Sequence, residues 1–222
     1  LELPKMHRVL QKFDTTQLEN VEETVRTEMH KKEICSLVKP GMRIAMAVGS
    51  RGIQNLALIV KIVAEELQNM GAKPFIVPAM GSHGGGTAKG QRAVLEGYGI
   101  TEEAIGIPVK SSLEVDEIGS VECESGTVQV VVDHYAAHAD LIIPIGRVKP
   151  HTDFRGPIES GLCKMLTIGL GKFEGCIRLH HMGAIHFPTL LPAAAKLVID
   201  KTPVGFGVAI IENSYDQTYH IE

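Results

Sequence analysis

Arg51, His83, His151 and Lys164 are the residues of this chain whose types and settings could do chemistry. Each stands at a break in an apolar run: Arg51 in AVGSRG, His83 in AMGSHGGG, His151 in RVKPHTDFRG and Lys164 in GLCKM. His180 and His181 follow in RLHH. A guanidinium grips an anion, and imidazoles with a free pKa near about 6.5 take and give protons at neutral pH. A lysine in an apolar setting sheds its proton, and the free amine does covalent chemistry. If one cleft gathers these groups, it can hold an anion and move protons, so an enzyme is the leading reading.

The elements that must position them read as strands and helices in alternation. Apolar runs at 44–48, 74–77 and 141–145 precede Arg51, His83 and His151. In an open α/β sheet, residues just past the carboxyl ends of parallel strands reach a common crevice. Asp14-Thr15-Thr16 reads as the cap of a helix over about 17–37, stopped by Lys39-Pro40-Gly41. A strand over 42–48, a helix over 54–70 ended by Gly71, a strand over 73–77 and a helix over 87–98 follow. That order gives parallel strands with right-handed crossovers. Strands at 115–121 and 128–132 around Glu124-Ser125-Gly126 read as a hairpin at the sheet edge. A strand over 141–148, a long loop to Gly161, helical stretches from there and over 188–200, and a strand over 205–211 complete the pattern. The fold class is therefore α/β: doubly wound, with a mainly parallel sheet, helices on both faces and an edge β-hairpin. Residues 1–213 read as this domain, and residues 214–222, with no cap or packed element, as the start of a further one.

Composition excludes several classes. A formal charge of −4 argues against nonspecific nucleic-acid binding, which needs a basic face. No apolar stretch approaches the roughly 18–20 residues that span a bilayer, and LELPKMHRVLQKFD lacks the apolar core of a signal peptide. The four cysteines are scattered without a CxxC pair, which suits reduced thiols and a cytoplasmic protein.

The motifs differ in what they specify. Gly49-Ser50-Arg51-Gly52 leaves a strand and enters a helix, so its amides could hold a phosphate or carboxylate; a plain tight turn is the other reading. The glycines around His83 would let a ligand approach the backbone. Asp153 could orient the His151 imidazole. Lys164 is either snorkelling to solvent or held as a desolvated amine. His180 and His181 are adjacent and so do not share a helix face, and at most one would ligate a given metal. His134 and His138 have i, i+4 spacing but no HExxH glutamate, and read as structural.

GSRG, then GSHGG, KPH, a glycine-punctuated loop to Lys164 and a later histidine resemble, in order and spacing, the amino-terminal domain of the nickel-dependent lactate racemase family. That resemblance covers about residues 42–211. It implies a nickel-pincer nucleotide (nickel pyridinium-3,5-bisthiocarboxylic acid mononucleotide) and inversion of C2 of a 2-hydroxy acid through hydride transfer to that cofactor. By position it implies His83 and His151 as acid and base, Lys164 as the cofactor tether, and His180 ahead of His181 as the nickel ligand. Arg51 would bind substrate, and Ser50 with its turn amides would lie near the cofactor phosphate. Where the family has a bulkier segment after the first histidine, this chain has Gly84-Gly85-Gly86. The His151–Lys164 loop carries Asp153, Arg155 and Glu159, which on the substrate side would suit a larger or more polar acid such as a sugar acid. The expected partners are a small 2-hydroxy acid and the enzymes that build the cofactor, with a homo-oligomer allowed; nucleic acid and membrane are not among them.

Two rival readings belong to other classes. One is a zinc-dependent hydrolase using His83, His151 and His180 or His181, which leaves Lys164 without a role. The other is a non-catalytic nucleotide-binding module that keeps the fold.

Overall fold

A computed structural model of the chain describes residues 5–222; Leu1–Pro4, part of the amino-terminal stretch read above, lie outside the described residues. Five strands form one sheet: β1 (Arg43–Val48), β2 (Lys73–Pro78), β5 (Leu141–Arg147), β6 (Val208–Glu212) and β7 (Thr218–Ile221). β3 (Val115–Cys123) and β4 (Gly126–Asp133) make a separate antiparallel pair. The helices are α1 (Val21–Met29), α2 (Lys32–Leu37), α3 (Leu56–Asn69), α4 (Ala88–Gly97), α5 (Glu102–Ile105), α6 (His134–Ala137), α7 (Leu162–Lys164), α8 (Lys172–His181) and α9 (Phe187–Lys201). Among the described residues no single helix is long and apolar enough to cross a membrane.

Strand order in the large sheet is β2-β1-β5-β6-β7, parallel except for the β6–β7 pair. From β1 the chain moves to β2 on one side and later returns to β5 on the other. The carboxyl ends of β1 and β5 therefore flank a topological switch point, where open α/β sheets form their crevice. β1 and β5 read as continuous apolar runs because both faces are covered. Ile44, Met46 and Ile143 face α1 and α3; Ala45, Ala47 and Ile142 face α8, α9 and the β3–β4 hairpin. The fold is thus α/β with helices on both faces, and the hairpin, not hydrogen-bonded to the sheet edge, forms its own two-stranded sheet packed against the face that carries Ala45, Ala47 and Ile142.

Two stretches differ from the sequence reading. The single helix read over 17–37 is two: Asn20, not Asp14, caps α1, its side chain accepting from Glu23 N at 3.1 Å. Lys31 at φ −57, ψ 138 then breaks the helix before α2. Residues 214–222 are not an unpacked tail. They supply β7, and Thr218 and Ile221 are each 1% exposed. The run is too short and its burial too irregular for a period-2 signal to show.

Candidate active site

A cavity of about 550 Å³ opens at the switch point. Ser50, Arg51, His83, His151, Lys164 and His180 all line it; His181 does not. Strand order fixes their relation. Arg51 follows β1, His83 follows β2 on one side of it and His151 follows β5 on the other. With strands about 4.8 Å apart, the strands that launch the two histidines are about 10 Å apart, with the arginine's strand between.

The glycines of this region serve close packing. A Cβ on Gly49 would stand 3.0 Å from Met165 Sδ, and one on Gly146 2.9 Å from Met165 Cγ. Two bare backbones at the ends of β1 and β5 thus seat Met165, which holds its neighbour Lys164 at the cavity wall. Gly84 at φ +65 lies against the α4 backbone, where a Cβ would come 2.5 Å from Gln91 N. Gly84–Gly86 accordingly do not line the cavity, and the expectation that they admit a ligand is corrected: they let the His83 loop turn onto α4.

Each imidazole has defined partners. His83 Nδ1 meets the Ser50 hydroxyl, and Tyr98 Oη donates to Ser50 O at 2.6 Å, which fixes that turn. The Asp153 backbone N–H, rather than its carboxylate, reaches His151 Nδ1 at 3.2 Å. With Nδ1 accepting, the neutral His151 ring carries its proton on Nε2. The ring also stacks on Phe154, centroids 4.4 Å apart. Glu159 accepts the His151 N–H at 2.8 Å and that of Gly156 at 3.3 Å; the His151 amide is the main reason its carboxyl lies below the ordinary range. Arg155 donates to His151 O at 2.6 Å. Asp153, Arg155 and Glu159 therefore brace the loop and do not line the cavity, against the sequence expectation; Thr152 and Ser160 line it there.

His180 Nδ1–H donates to Cys176 O at 2.6 Å, leaving Nε2 with its lone pair free. A hydrogen bond of this kind sets the tautomer of a metal-ligating histidine. Phe187 holds the ring edge-on at 5.1 Å.

The cavity's electrostatics are cationic. Among the described residues that line it, Arg51, Lys149 and Lys164 form no ion pair, whereas Arg147 is neutralised by Glu212 and by Asp216 at 3.3 Å. Burial first, then Arg51 and Lys149, lowers the Lys164 pKa. His83 is pushed below 6.5 by burial, Arg51 and Lys164. His151 is pushed the same way by burial and Lys164, with Asp153 opposing. Both rings lean to the neutral form.

Sequence reasoning missed the braces behind these groups. Glu212 Oε1 accepts Gln54 N–H at 2.7 Å, so this amide beyond the Arg51 turn is taken by the protein's own carboxylate. Thr218 N donates to Gln54 Oε1 at 2.7 Å, tying β7 to the same turn. Lys172, fully buried at φ 56, donates to Pro78 O at 2.6 Å. Its amine lies 2.8 Å from Asp133 Oδ2, a charge contact without hydrogen-bond alignment. Lys172 joins the end of β2, the end of β4 and the start of α8, the helix that carries His180. The zinc reading finds no ligand set in the cleft. Among the described residues the one cluster of three close donor side chains is Asp116, His134 and His138, elsewhere on the molecule.

The switch-point cavity of this α/β sheet thus gathers two imidazoles with lowered pKa, a half-buried lysine and an arginine. The profile of the lactate racemase N-terminal domain family matches residues 4–189, and the chain belongs to that family. A comparison with curated proteins finds no match.

Proposed function

We propose that this chain is the cofactor-bearing part of a 2-hydroxyacid racemase or epimerase, with Lys164 tethering a nickel-pincer nucleotide and His180 ligating its nickel. The observation that carries this reading is the placement of Arg51 between the His83 and His151 strands, in one cavity with Lys164 and His180. The residues suit the cofactor. Lys164 is half-buried with a lowered pKa, as an amine forming a covalent bond requires. His180 offers Nε2, a donor that suits nickel. Arg51 and Lys149 supply charge for the phosphate and the substrate carboxylate. Such a cofactor, when bound, supplies the hydride chemistry that no side chain can.

The chain's own residues do the rest. Arg51 holds the substrate carboxylate and so fixes which carbon faces the imidazoles. When His83 gives Nδ1–H to Ser50 Oγ, its Nε2 is free to accept the hydroxyl proton from one side. His151, with its proton on Nε2, faces the substrate oxygen from the other side as a hydrogen-bond donor. Reaction in the opposite sense exchanges the two roles. Thr152 and Ser160 line the substrate space with hydroxyls, groups that can hydrogen-bond the hydroxyls of a larger, more polar 2-hydroxy acid such as a sugar acid.

The test is the intact mass and nickel content of the chain co-produced with the cofactor-synthesis enzymes. An adduct on Lys164 is expected, absent together with nickel from Lys164→Ala. His180→Ala should keep the adduct and lose metal. An unmodified Lys164 in the parent would instead favour a silent binding module, and full nickel in Lys164→Ala would end the pincer reading.

A further inference from the structure

A second set of ligating side chains stands apart from the cleft. His134 opens α6 and His138 caps its other end, so i, i+4 spacing puts both rings on one side, centroids 4.4 Å apart. The carboxylate absent from the local sequence comes from β3. Asp116 Oδ2 lies 3.1 Å from His134 Nδ1 and 3.2 Å from His138 Nδ1. Ligands about 2.0–2.1 Å from a tetrahedral ion stand about 3.3 Å apart, so the carboxylate oxygen already has ligand spacing to both imidazole nitrogens, and all three atoms lie within 4.8 Å of one another. The backbone holds them there: Asp133 Oδ1 caps α6 through Ala136 N at 2.8 Å, and His134 N donates to Glu114 O at 3.0 Å.

We propose that Asp116, His134 and His138 form a site for a divalent transition ion, zinc or nickel, that clamps the hairpin to α6. Two neutral imidazoles and one carboxylate are a borderline-soft donor set of the kind these ions take, with the remaining positions open to water. The three side chains are 35% to 61% exposed, so an ion enters directly from solvent. Binding gives up the contact between His138 Nδ1 and His134 O at 2.9 Å and the hydrogen bond between His134 Nδ1 and Asp116 at 3.1 Å, which argues for a moderate affinity. This site is distinct from the nickel site proposed above. α6 leads into the amino end of β5, and the cleft lies past its carboxyl end, about 20 Å away along the strand.

Zinc titrated by calorimetry into the chelator-stripped chain tests this, in parallel with His138→Ala, Asp116→Asn and His180→Ala. One equivalent should bind at micromolar concentration, weaken at least about tenfold in His138→Ala and in Asp116→Asn, and persist in His180→Ala. Zinc should also raise the melting temperature of the parent and of His180→Ala alone. Both site variants alter side chains that solvent reaches, His138 at 61% and Asp116 at 35% exposed, and an unchanged melting temperature in chelator establishes that they fold. Zinc binding lost in His180→Ala but retained in the other two would overturn the proposal. So would an absence of micromolar binding in the parent.

Discussion

Lys172→Met is the most informative single change, because it separates what the buried amine does for stability from what it does for the cleft. Lys172 and Asp133 are both 0% exposed and stand 2.8 Å apart. Removing one partner of such a pair leaves a buried, uncompensated charge and costs about 3–5 kcal/mol. For a chain of this length that is a fall in melting temperature of roughly 6–20 °C. In Lys172→Met/Asp133→Asn both charges go, while the cap to Ala136 N keeps its oxygen acceptor. What is left is the orphaned Pro78 carbonyl, worth about 1–3 kcal/mol. The double variant should therefore be the more stable of the two, and a double-mutant cycle in urea measures the difference. Its cleft should still be impaired, since Pro78 is no longer tied to the head of α8, and the nickel retention proposed for His180 should drop. A loss below about 1 kcal/mol in Lys172→Met, or a double variant less stable than the single, would refute the reasoning.

Ring-proton NMR should show His83 and His151 titrating below 6.5, for burial and neighbouring cations favour the neutral rings. The folded state then holds these protons more weakly than the unfolded chain. Stability in urea should fall as pH drops through 6.5 and level off once both rings are charged; a midpoint above 6.5 for either ring would contradict this. Lys164→Met should raise both midpoints. Gly84→Ala puts a Cβ 2.5 Å from Gln91 N at φ +65 and should cost more than about 2 kcal/mol by urea unfolding. Thr218→Val removes the hydroxyl that accepts from Asn55 Nδ2 at 3.2 Å. It should cost about 1–2 kcal/mol and speed hydrogen exchange across residues 49–55, whereas unchanged exchange there would dissociate β7 from the Arg51 turn.

The parts of this molecule legible in its sequence are those where one physical cause acts locally. β1 and β5 show as unbroken apolar runs because both faces are buried, and the chemistry-bearing residues show because they interrupt those runs. A single helix over 17–37 is what the apolar spacing of Val21, Val25 and Met29 suggests, because that spacing runs on past Lys31, where the backbone turns extended. Lys172 after Gly-Leu-Gly looks like any surface lysine. Its burial depends on Asp133, which the fold alone brings near. Glu159 and Asp153 read by residue type as substrate-side groups, and Asp153 also as a carboxylate orienting His151, yet Glu159 is spent on backbone amides and Asp153 reaches His151 through its own N–H.

The tie between Thr218 and Gln54 spans 164 residues of chain, and this has a kinetic consequence during synthesis. At about 5–20 residues per second, a ribosome needs roughly 8–33 s to travel from one end of that contact to the other. Through nearly all of that interval the Arg51 turn is already made but has neither Glu212, 158 residues beyond Gln54, nor Thr218 to hold it. β1, β2 and β5 can pair before the brace exists, so the three strands that lead to Arg51, His83 and His151 are in register before β7 completes the sheet and the cleft. An enzyme that attaches a cofactor would therefore meet a closed receptor only after the last strand has emerged.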